Sequence, residues 1–151
     1  MVKVAVGADD VYPVVDFIVK FLEEKGFEVI KFGSASTGKL EPWPLVARDV
    51  AKAVANKQVD WGIVICYTGT GVSIVANKIK GIRAALCNDA ETARGARLWN
   101  DANILALSGR LITPYLAKEI INAWLSISQP DPSELENIKM ISVIEEQERK
   151  P

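Results

Sequence analysis

The chain has 151 residues, of which 49% are hydrophobic and 25% charged, a size and composition typical of one globular domain and not of a disordered or fibrous protein. The net charge is -1, and no stretch concentrates enough Lys and Arg to contact a nucleic-acid backbone, so nucleic acid is not an expected partner. Histidine is absent, which excludes Ser-His, Cys-His and histidine-based zinc chemistry.

The cellular location is predicted from what the sequence lacks. Its two cysteines are too few for a disulfide scaffold. Residues 1–4 run directly into a strand-like segment without a signal-peptide pattern, and no apolar run approaches transmembrane length. We therefore expect a reducing, cytoplasmic location and no membrane partner.

Strand-like and helix-like segments alternate along the chain. Apolar runs predict strands at residues 2–7, 27–32, 61–66, 82–87 and 103–107. Helical periodicity predicts helices from residue 14 to the stop at Lys25-Gly26, at 44–56, in a short segment ending at 80, at 90–98 and at 114–125, with a loop at 33–43. Such alternation predicts an α/β fold of three layers, with a parallel sheet of five strands joined by right-handed crossovers.

The predicted domain spans residues 1–151 and ends in a helical tail at 126–151. Apolar residues recur along this charged tail, namely Leu135, Ile138, Ile141 and Ile144. The apolar side of the tail must be buried, either on the same domain or in a partner subunit. The stretch 145–150 is predicted to be a solvated helix end.

Two adjacent carboxylates, Asp9 and Asp10, follow the first predicted strand, where ligands bind in parallel sheets. We expect one of them to cap the helix that follows. The role of the other stays open, because neighbouring acids that are partly buried can also carry a proton.

The third predicted strand ends in Cys66, and Tyr67-Thr68-Gly69-Thr70-Gly71-Val72-Ser73 leads from it into a helix. Backbone N–H groups at such a helix start favour an anion, and the same field favours the thiolate form of a cysteine. The alternative is an inert buried thiol, which is also the interpretation for Cys87. A dinucleotide fingerprint would need glycine at Ile74, so nucleotide binding has weak support.

Later segments supply cations and aromatic rings near strand ends. Arg110, just past the last strand, is a candidate anion clamp because its guanidinium matches phosphate geometry. Arg94 and Arg97 are expected to be solvated. Trp43 and Trp99 are either sugar-stacking residues or packing anchors.

From Met1 to about Leu125, the order of motifs resembles the ribose-5-phosphate isomerase B and galactose-6-phosphate isomerase family. The matching segments are Gly7–Asp10, Cys66–Lys78, Gly81–Ala84, Asn100–Asn103 and Ser108–Arg110. The segment from Cys66 to Ala84 is the most specific part of this resemblance.

The resemblance implies a Rossmann-like fold, a homodimer or dimer of dimers with sites at the interface, and aldose–ketose isomerisation without metal or cofactor. It implies that Cys66 moves a proton between C1 and C2 through an enediolate, and that Thr68 assists at the sugar oxygens. The N–H groups of Gly69–Ser73 would bind the oxyanion. Arg110 would contact phosphate, commonly from the neighbouring subunit.

The chain departs from the family pattern at several site positions. Asp10 and Trp99 stand where the family has histidine, and Tyr67 stands where it usually has glycine. The C-terminal motif of two arginines with His and Gln is missing, and only Lys139 offers a cation in residues 132–139. Two phosphate ligands and the group that opens the sugar ring are thus absent.

We therefore predict a sugar or sugar-phosphate isomerase whose substrate has changed, with Cys66, Thr68 and Asp10 as catalytic residues. Either Asp10 replaces the ring-opening histidine, or the substrate is a short or open-chain sugar that needs no ring opening. The predicted substrate-binding residues are Asp9, Trp43, Gly69, Thr70, Gly71, Val72, Ser73, Trp99, Asn100 and Arg110. The alternative is a non-catalytic sugar-phosphate-binding subunit, or one subunit of a hetero-oligomeric isomerase.

Overall fold

The computed structural model describes residues 1–149. The strands are β1 (Lys3–Ala8), β2 (Glu28–Gly33), β3 (Trp61–Cys66), β4 (Ala84–Leu86) and β5 (Ile104–Ser108). The helices are α1 (Pro13–Glu24), α2 (Ser34–Thr37), α3 (Trp43–Ala55), α4 (Thr70–Ala76), α5 (Ala90–Asn100), α6 (Pro114–Leu125) and α7 (Leu135–Glu148), with a 3-10 turn at Pro132–Glu134. The strands form one parallel sheet of five in the order β2-β1-β3-β5-β4. This confirms the predicted α/β, Rossmann-like sandwich.

Helices cover both faces of the sheet, which is why the central strand β3 is apolar along its whole length. Side chains alternate between the faces: Ile63 and Ile65 pack with α1, α5 and α6, whereas Val64 and Cys66 pack with α3 and α4. The thiol of Cys66 therefore lies at the carboxyl end of β3, on the α3 and α4 side.

The connections leave β1 and β3 in opposite directions, which makes the gap between these two strands a switch point of the topology. Ala8 of β1 pairs in register with Ile65 of β3, and Cys66 pairs with Ser108 of β5. The loops that follow these three strands are therefore neighbours at one edge of the sheet.

The opposite edge is held by the segments that precede β4 and β5. The amide oxygen of Asn103 accepts the backbone N–H of Arg83 at 2.8 Å, and Nε of Arg83 donates to the carbonyl of Asp101 at 2.6 Å. Arg97 is not simply solvated as expected, because it is half-buried, lies over the Trp124 ring and donates to the Ala102 carbonyl at 2.7 Å. Two of the motifs that carry the family resemblance thus have structural roles here.

Two element boundaries differ from the prediction. The expected loop at 33–43 contains the short helix α2. The expected strand at 82–87 is reduced to β4, whose outer side bonds to a side chain: Asn77 accepts the N–H of Ala84 at 2.8 Å and donates to its carbonyl at 3.0 Å. This pairing with Asn77 satisfies backbone groups that a neighbouring strand would otherwise bond.

The tail forms the predicted C-terminal helix, α7. Its C-terminal half contacts the turn before β4, where Glu145 accepts the N–H of Gly81 at 3.1 Å and Lys80 pairs with Glu146 at 2.7 Å. Large apolar side chains along α7 remain exposed, namely Leu135, Met140, Ile141, Val143 and Ile144. Residues 146–149 are exposed, as predicted for the helix end, and residues 150 and 151 lie outside the described residues. In the described part of the chain, no helix has the length and apolar character needed to cross a membrane.

Candidate active site

The loops after β1, β3 and β5 are joined by backbone hydrogen bonds at the carboxyl edge of the sheet. The N–H of Asp9 donates to the carbonyl of Ile65 at 3.2 Å, and the N–H of Gly109 donates to the carbonyl of Cys66 at 2.8 Å. The three loops therefore form one rim, which carries most of the residues predicted for the site.

Cys66 is the centre of this rim. Its side chain is buried, and its sulfur accepts the backbone N–H of Gly69 at 3.2 Å. Gly69 has a φ of +79°, and a Cβ there would lie 2.9 Å from the carbonyl oxygen of Leu107. Glycine, which has no side chain, is therefore required at position 69 for the loop to bring this N–H to the sulfur.

The threonines of the Gly/Thr loop lie at the exposed mouth of the rim. The hydroxyls of Thr68 and Thr70 are 2.8 Å apart, and the Ser73 hydroxyl donates to the Thr70 carbonyl at 2.8 Å. The side chains thus order the loop and leave hydroxyl groups at its surface, available to an oxygen-rich ligand.

Trp43 forms one wall of this loop. Its ring packs on Gly71, where a Cβ would lie 2.9 Å from Cζ3 of Trp43. The indole is 44% exposed, so one part anchors α3 to α4 and another part faces solvent. Val72 is fully buried and offers the site only its backbone N–H.

The expectation that Asp9 or Asp10 caps α1 is wrong. The helix begins at Pro13 with Tyr12 at its N-cap and no side-chain cap. Proline has no N–H to satisfy, and both carboxylates are engaged before the helix: Asp10 accepts the N–H of Val11 at 2.8 Å, and buried Asp9 accepts the hydroxyl of Tyr12 at 2.8 Å.

Tyr12 was not predicted as a site residue, although it stands two residues after the Asp9–Asp10 pair. Burial, the hydrogen bond to Asp9, and the charges of Asp9, Asp10 and Cys66 raise the pKa of the Tyr12 hydroxyl. The hydroxyl therefore stays protonated as a donor. No local sequence signal distinguishes Tyr12 from a packing tyrosine, because the contact of its ring with Gly109 lies on another loop, although its partner Asp9 is only three residues away.

Arg110 lies at the same rim, exposed to solvent. Its guanidinium carbon is 5.9 Å from the centre of the Tyr67 ring, and its backbone N–H donates to the Tyr67 carbonyl at 3.1 Å. The Ser108 hydroxyl donates to the same carbonyl at 2.9 Å. A cation is thereby held close to the Cys66 loop, stacked on an aromatic face.

Trp99 and Asn100 are not brought to Cys66 within one chain. They end α5 just before β5 begins, which puts them at the opposite, amino-terminal edge of the sheet. Trp99 is 44% exposed and packs on Gly95, where a Cβ would lie 2.6 Å from its ring. Within one chain, the length of the strands separates these two residues from the Cys66 rim.

Cys87, by contrast, is a fully buried free thiol. Burial and the charge of Asp89 raise its pKa to about 12. Among residues 1–149, no three His, Cys, Asp or Glu side chains are placed to hold a metal ion.

The fold and the rim define an α/β protein with a buried thiol beside a glycine- and threonine-rich loop at the switch point of a parallel sheet. Residues 4–141 match the family model described as Ribose/Galactose Isomerase. The chain belongs to this family of sugar-phosphate isomerases.

Relatives match over nearly the whole chain. The D-erythrulose-4-phosphate isomerase of Pectobacterium atrosepticum is 39% identical over 150 residues, which cover 99% of each chain. Ribose-5-phosphate isomerase B of Escherichia coli is 41% identical over 147 residues, covering 97% of this chain and 98% of its own. The structure of ribose-5-phosphate isomerase B from Clostridium thermocellum superposes with a TM-score of 0.90 and 40% identity, over 96% of this chain and 98% of that one.

Proposed function

We propose that the protein interconverts an aldose phosphate and a ketose phosphate by proton transfer through Cys66. The thiolate takes the proton from the carbon next to the carbonyl, so that the C–H bond breaks, an S–H bond forms and the electron pair moves onto the carbonyl oxygen. A proton passes from the neighbouring hydroxyl oxygen to this charged oxygen. The enediolate then takes the proton of the Cys66 thiol on the former carbonyl carbon, which makes the neighbouring carbon the new carbonyl and restores the thiolate. The hydrogen bond from the Gly69 N–H to the sulfur of Cys66 is the observation that supports this most directly, because it holds the sulfur at the start of the Gly/Thr loop.

The oxygen charge of the enediolate needs donors beside the thiol. Gly71 and Val72 belong to the first turn of α4, where N–H groups have no acceptor within the helix. We infer that these N–H groups bind the developing oxyanion and that the Thr68 hydroxyl contacts the second sugar oxygen. Arg110 would bind the phosphate as a cation fixed on Tyr67.

We infer further that the substrate is an open-chain sugar phosphate of four carbons. The chain has no histidine, and hence no group with an ordinary pKa near neutrality to open a furanose ring. A tetrose 4-phosphate needs no such group, because the oxygen that would close its ring is esterified. The relative from Pectobacterium atrosepticum is named for such a substrate, D-erythrulose 4-phosphate.

Three substrates distinguish the effect of ring opening on the rate from the effect of the number of carbons. D-erythrulose 4-phosphate and D-ribulose 5-phosphate are both open-chain ketoses, whereas D-ribose 5-phosphate is mainly a furanose. Deuterium incorporation from heavy water, followed by NMR, should be fastest with erythrulose 4-phosphate and slowest with ribose 5-phosphate. Ribose 5-phosphate turned over as fast as erythrulose 4-phosphate would contradict the open-chain assignment.

The thiol is tested by Cys66→Ser, with Cys87→Ala as the matched variant at the other buried cysteine. We expect Cys66→Ser to lower both exchange and turnover by at least ~10²–10⁴-fold, the range for loss of a required acid–base group. Cys87→Ala should keep the activity. Full activity in a folded Cys66→Ser protein would refute the mechanism, and no exchange with any sugar would favour the non-catalytic subunit instead.

We propose that the single domain 1–151 works in the cytoplasm as a homodimer or dimer of dimers with its sites at the interface. The exposed apolar side chains of α7 support a place for the tail 126–151 in that interface. Trp99 and Asn100 would then complete the Cys66 site of the partner. Mixing inactive Cys66→Ser and Asn100→Ala subunits should restore about a quarter of the wild-type activity, because half of the dimers gain one intact site. Light scattering that gives a monomer would refute the assembly.

A further inference from the structure

The carboxylate of Asp9 is held through one of its two oxygens. Oδ1 accepts the Tyr12 hydroxyl at 2.8 Å. In the described part of the chain, every fully buried side-chain nitrogen or oxygen has a hydrogen-bond partner, and Oδ2 of Asp9 has no partner there. Oδ2 is therefore the part of this largely buried side chain that reaches the surface of the rim.

The backbone around this carboxylate is fixed as well. The N–H of Asp9 bonds to Ile65 of β3 at 3.2 Å, and its carbonyl accepts the N–H of Glu41 at 2.7 Å. With the backbone held in this way, the carboxylate can move only by rotation of the Asp9 side chain. The hydrogen bond from Tyr12 restricts that rotation.

Tyr12 is itself anchored to the rim that holds Cys66. Its ring lies on Gly109, where a Cβ would come within 2.7 Å of the ring, and the N–H of Gly109 donates to the Cys66 carbonyl at 2.8 Å. The side chain of Tyr12 thus connects the loop after β1 with the loop after β5, and its hydroxyl donates a hydrogen bond to Asp9.

We propose that Tyr12 is a positioning residue of the isomerase site: its hydroxyl fixes one oxygen of Asp9, so that the other oxygen accepts a hydroxyl group of the sugar beside Cys66. Burial and the hydrogen bond to Asp9 raise the pKa of the Tyr12 hydroxyl, so this group is a donor at neutral pH. The inference rests on the proposed function, because it assigns Asp9 to the substrate.

Tyr12→Phe tests this with little disturbance, since it removes one oxygen and keeps the ring on Gly109. With erythrulose 4-phosphate we expect kcat/KM to fall about ten-fold or more, the effect of losing a hydrogen bond to a charged group. Tyr115→Phe, which removes the same atom from an exposed tyrosine of α6, is the control and should leave kcat/KM unchanged.

A structural role alone would also lower activity, so the second arm is a double-mutant cycle. If Tyr12 acts through Asp9, adding Tyr12→Phe to Asp9→Asn should cost much less than it costs in the wild type. If the losses in kcat/KM of the two single variants multiply in a folded double variant, the two residues act independently and the inference is overturned. A Tyr12→Phe enzyme with wild-type kcat/KM would also overturn it.

The exchange experiment separates this inference from the proposed function. Absence of Cys66-dependent exchange in the wild type would overturn both. Normal wild-type exchange with no effect of Tyr12→Phe would overturn the inference alone.

Discussion

The backbone N–H of Gly69 donates to the sulfur of Cys66 at 3.2 Å. This bond ties the candidate nucleophile to the conformation of the loop that follows it, because the N–H points at the sulfur only while Gly69 is left-handed. A substitution of Gly69 is therefore expected to change both the stability of the loop and the hydrogen bond to the Cys66 sulfur.

Gly69→Ala should lose both stability and activity. The added Cβ would lie 2.9 Å from the Leu107 carbonyl oxygen in a backbone already at φ +79°. Gly38→Ala is the matched control, because Gly38 has a φ of +74° with open space around it. In both variants the left-handed conformation of alanine lowers the free energy of unfolding by ~1–3 kcal/mol. Urea unfolding should show a larger decrease for Gly69→Ala, because only its Cβ also clashes with a neighbour. Equal losses would mean that the loop relaxes away from β5.

The raised pKa of Cys87 predicts a stability change at alkaline pH. Its pKa rises from 9.0 for a solvated cysteine to about 12 in the fold, so the unfolded chain releases this proton first. The stabilisation is complete below pH 9 and is lost as the pH rises toward 12, with a limiting slope of ~1.4 kcal/mol per pH unit for one proton. Denaturant unfolding between pH 8 and about 11 measures that slope. Cys87→Ala should flatten it, and an unchanged slope would assign the loss to other groups.

Asn77→Ala should destabilise the edge of the sheet. The Asn77 amide makes two hydrogen bonds with the backbone of Ala84, at 2.8 and 3.0 Å, and each is worth about 0.5–1.5 kcal/mol. Asn137→Ala, on the exposed helix α7, removes one side-chain bond, to Glu134, and should cost less. Hydrogen exchange should show faster exchange at Ala84 in Asn77→Ala only. Unchanged exchange there would mean that solvent replaces the amide.

Much of the fold follows from local sequence. The uninterrupted apolar run of β3 requires cover on both faces, and the alternation of such runs with helical periodicity leads to a parallel sheet. Cys66 and its Gly/Thr loop were identified as a candidate site for the same reason, since carboxyl strand ends and helix starts are defined by neighbours in sequence. The structure agrees at this position, since the sulfur of Cys66 accepts the backbone N–H of Gly69 from that loop.

The roles of Asp9, Tyr12 and Trp99 depend on tertiary structure. The sequence predicts that one of Asp9 and Asp10 caps a helix, and it makes no prediction for Tyr12. In the structure the Tyr12 ring packs on Gly109 and its hydroxyl bonds to Asp9, at the end of the strand that pairs with β3. The crossover through α5 sends Trp99 to the far edge of the sheet. Periodicity indicates which side of an element is buried, whereas the contact of Tyr12 with Gly109 and the separation of Trp99 from Cys66 depend on which loops the packed sheet brings together.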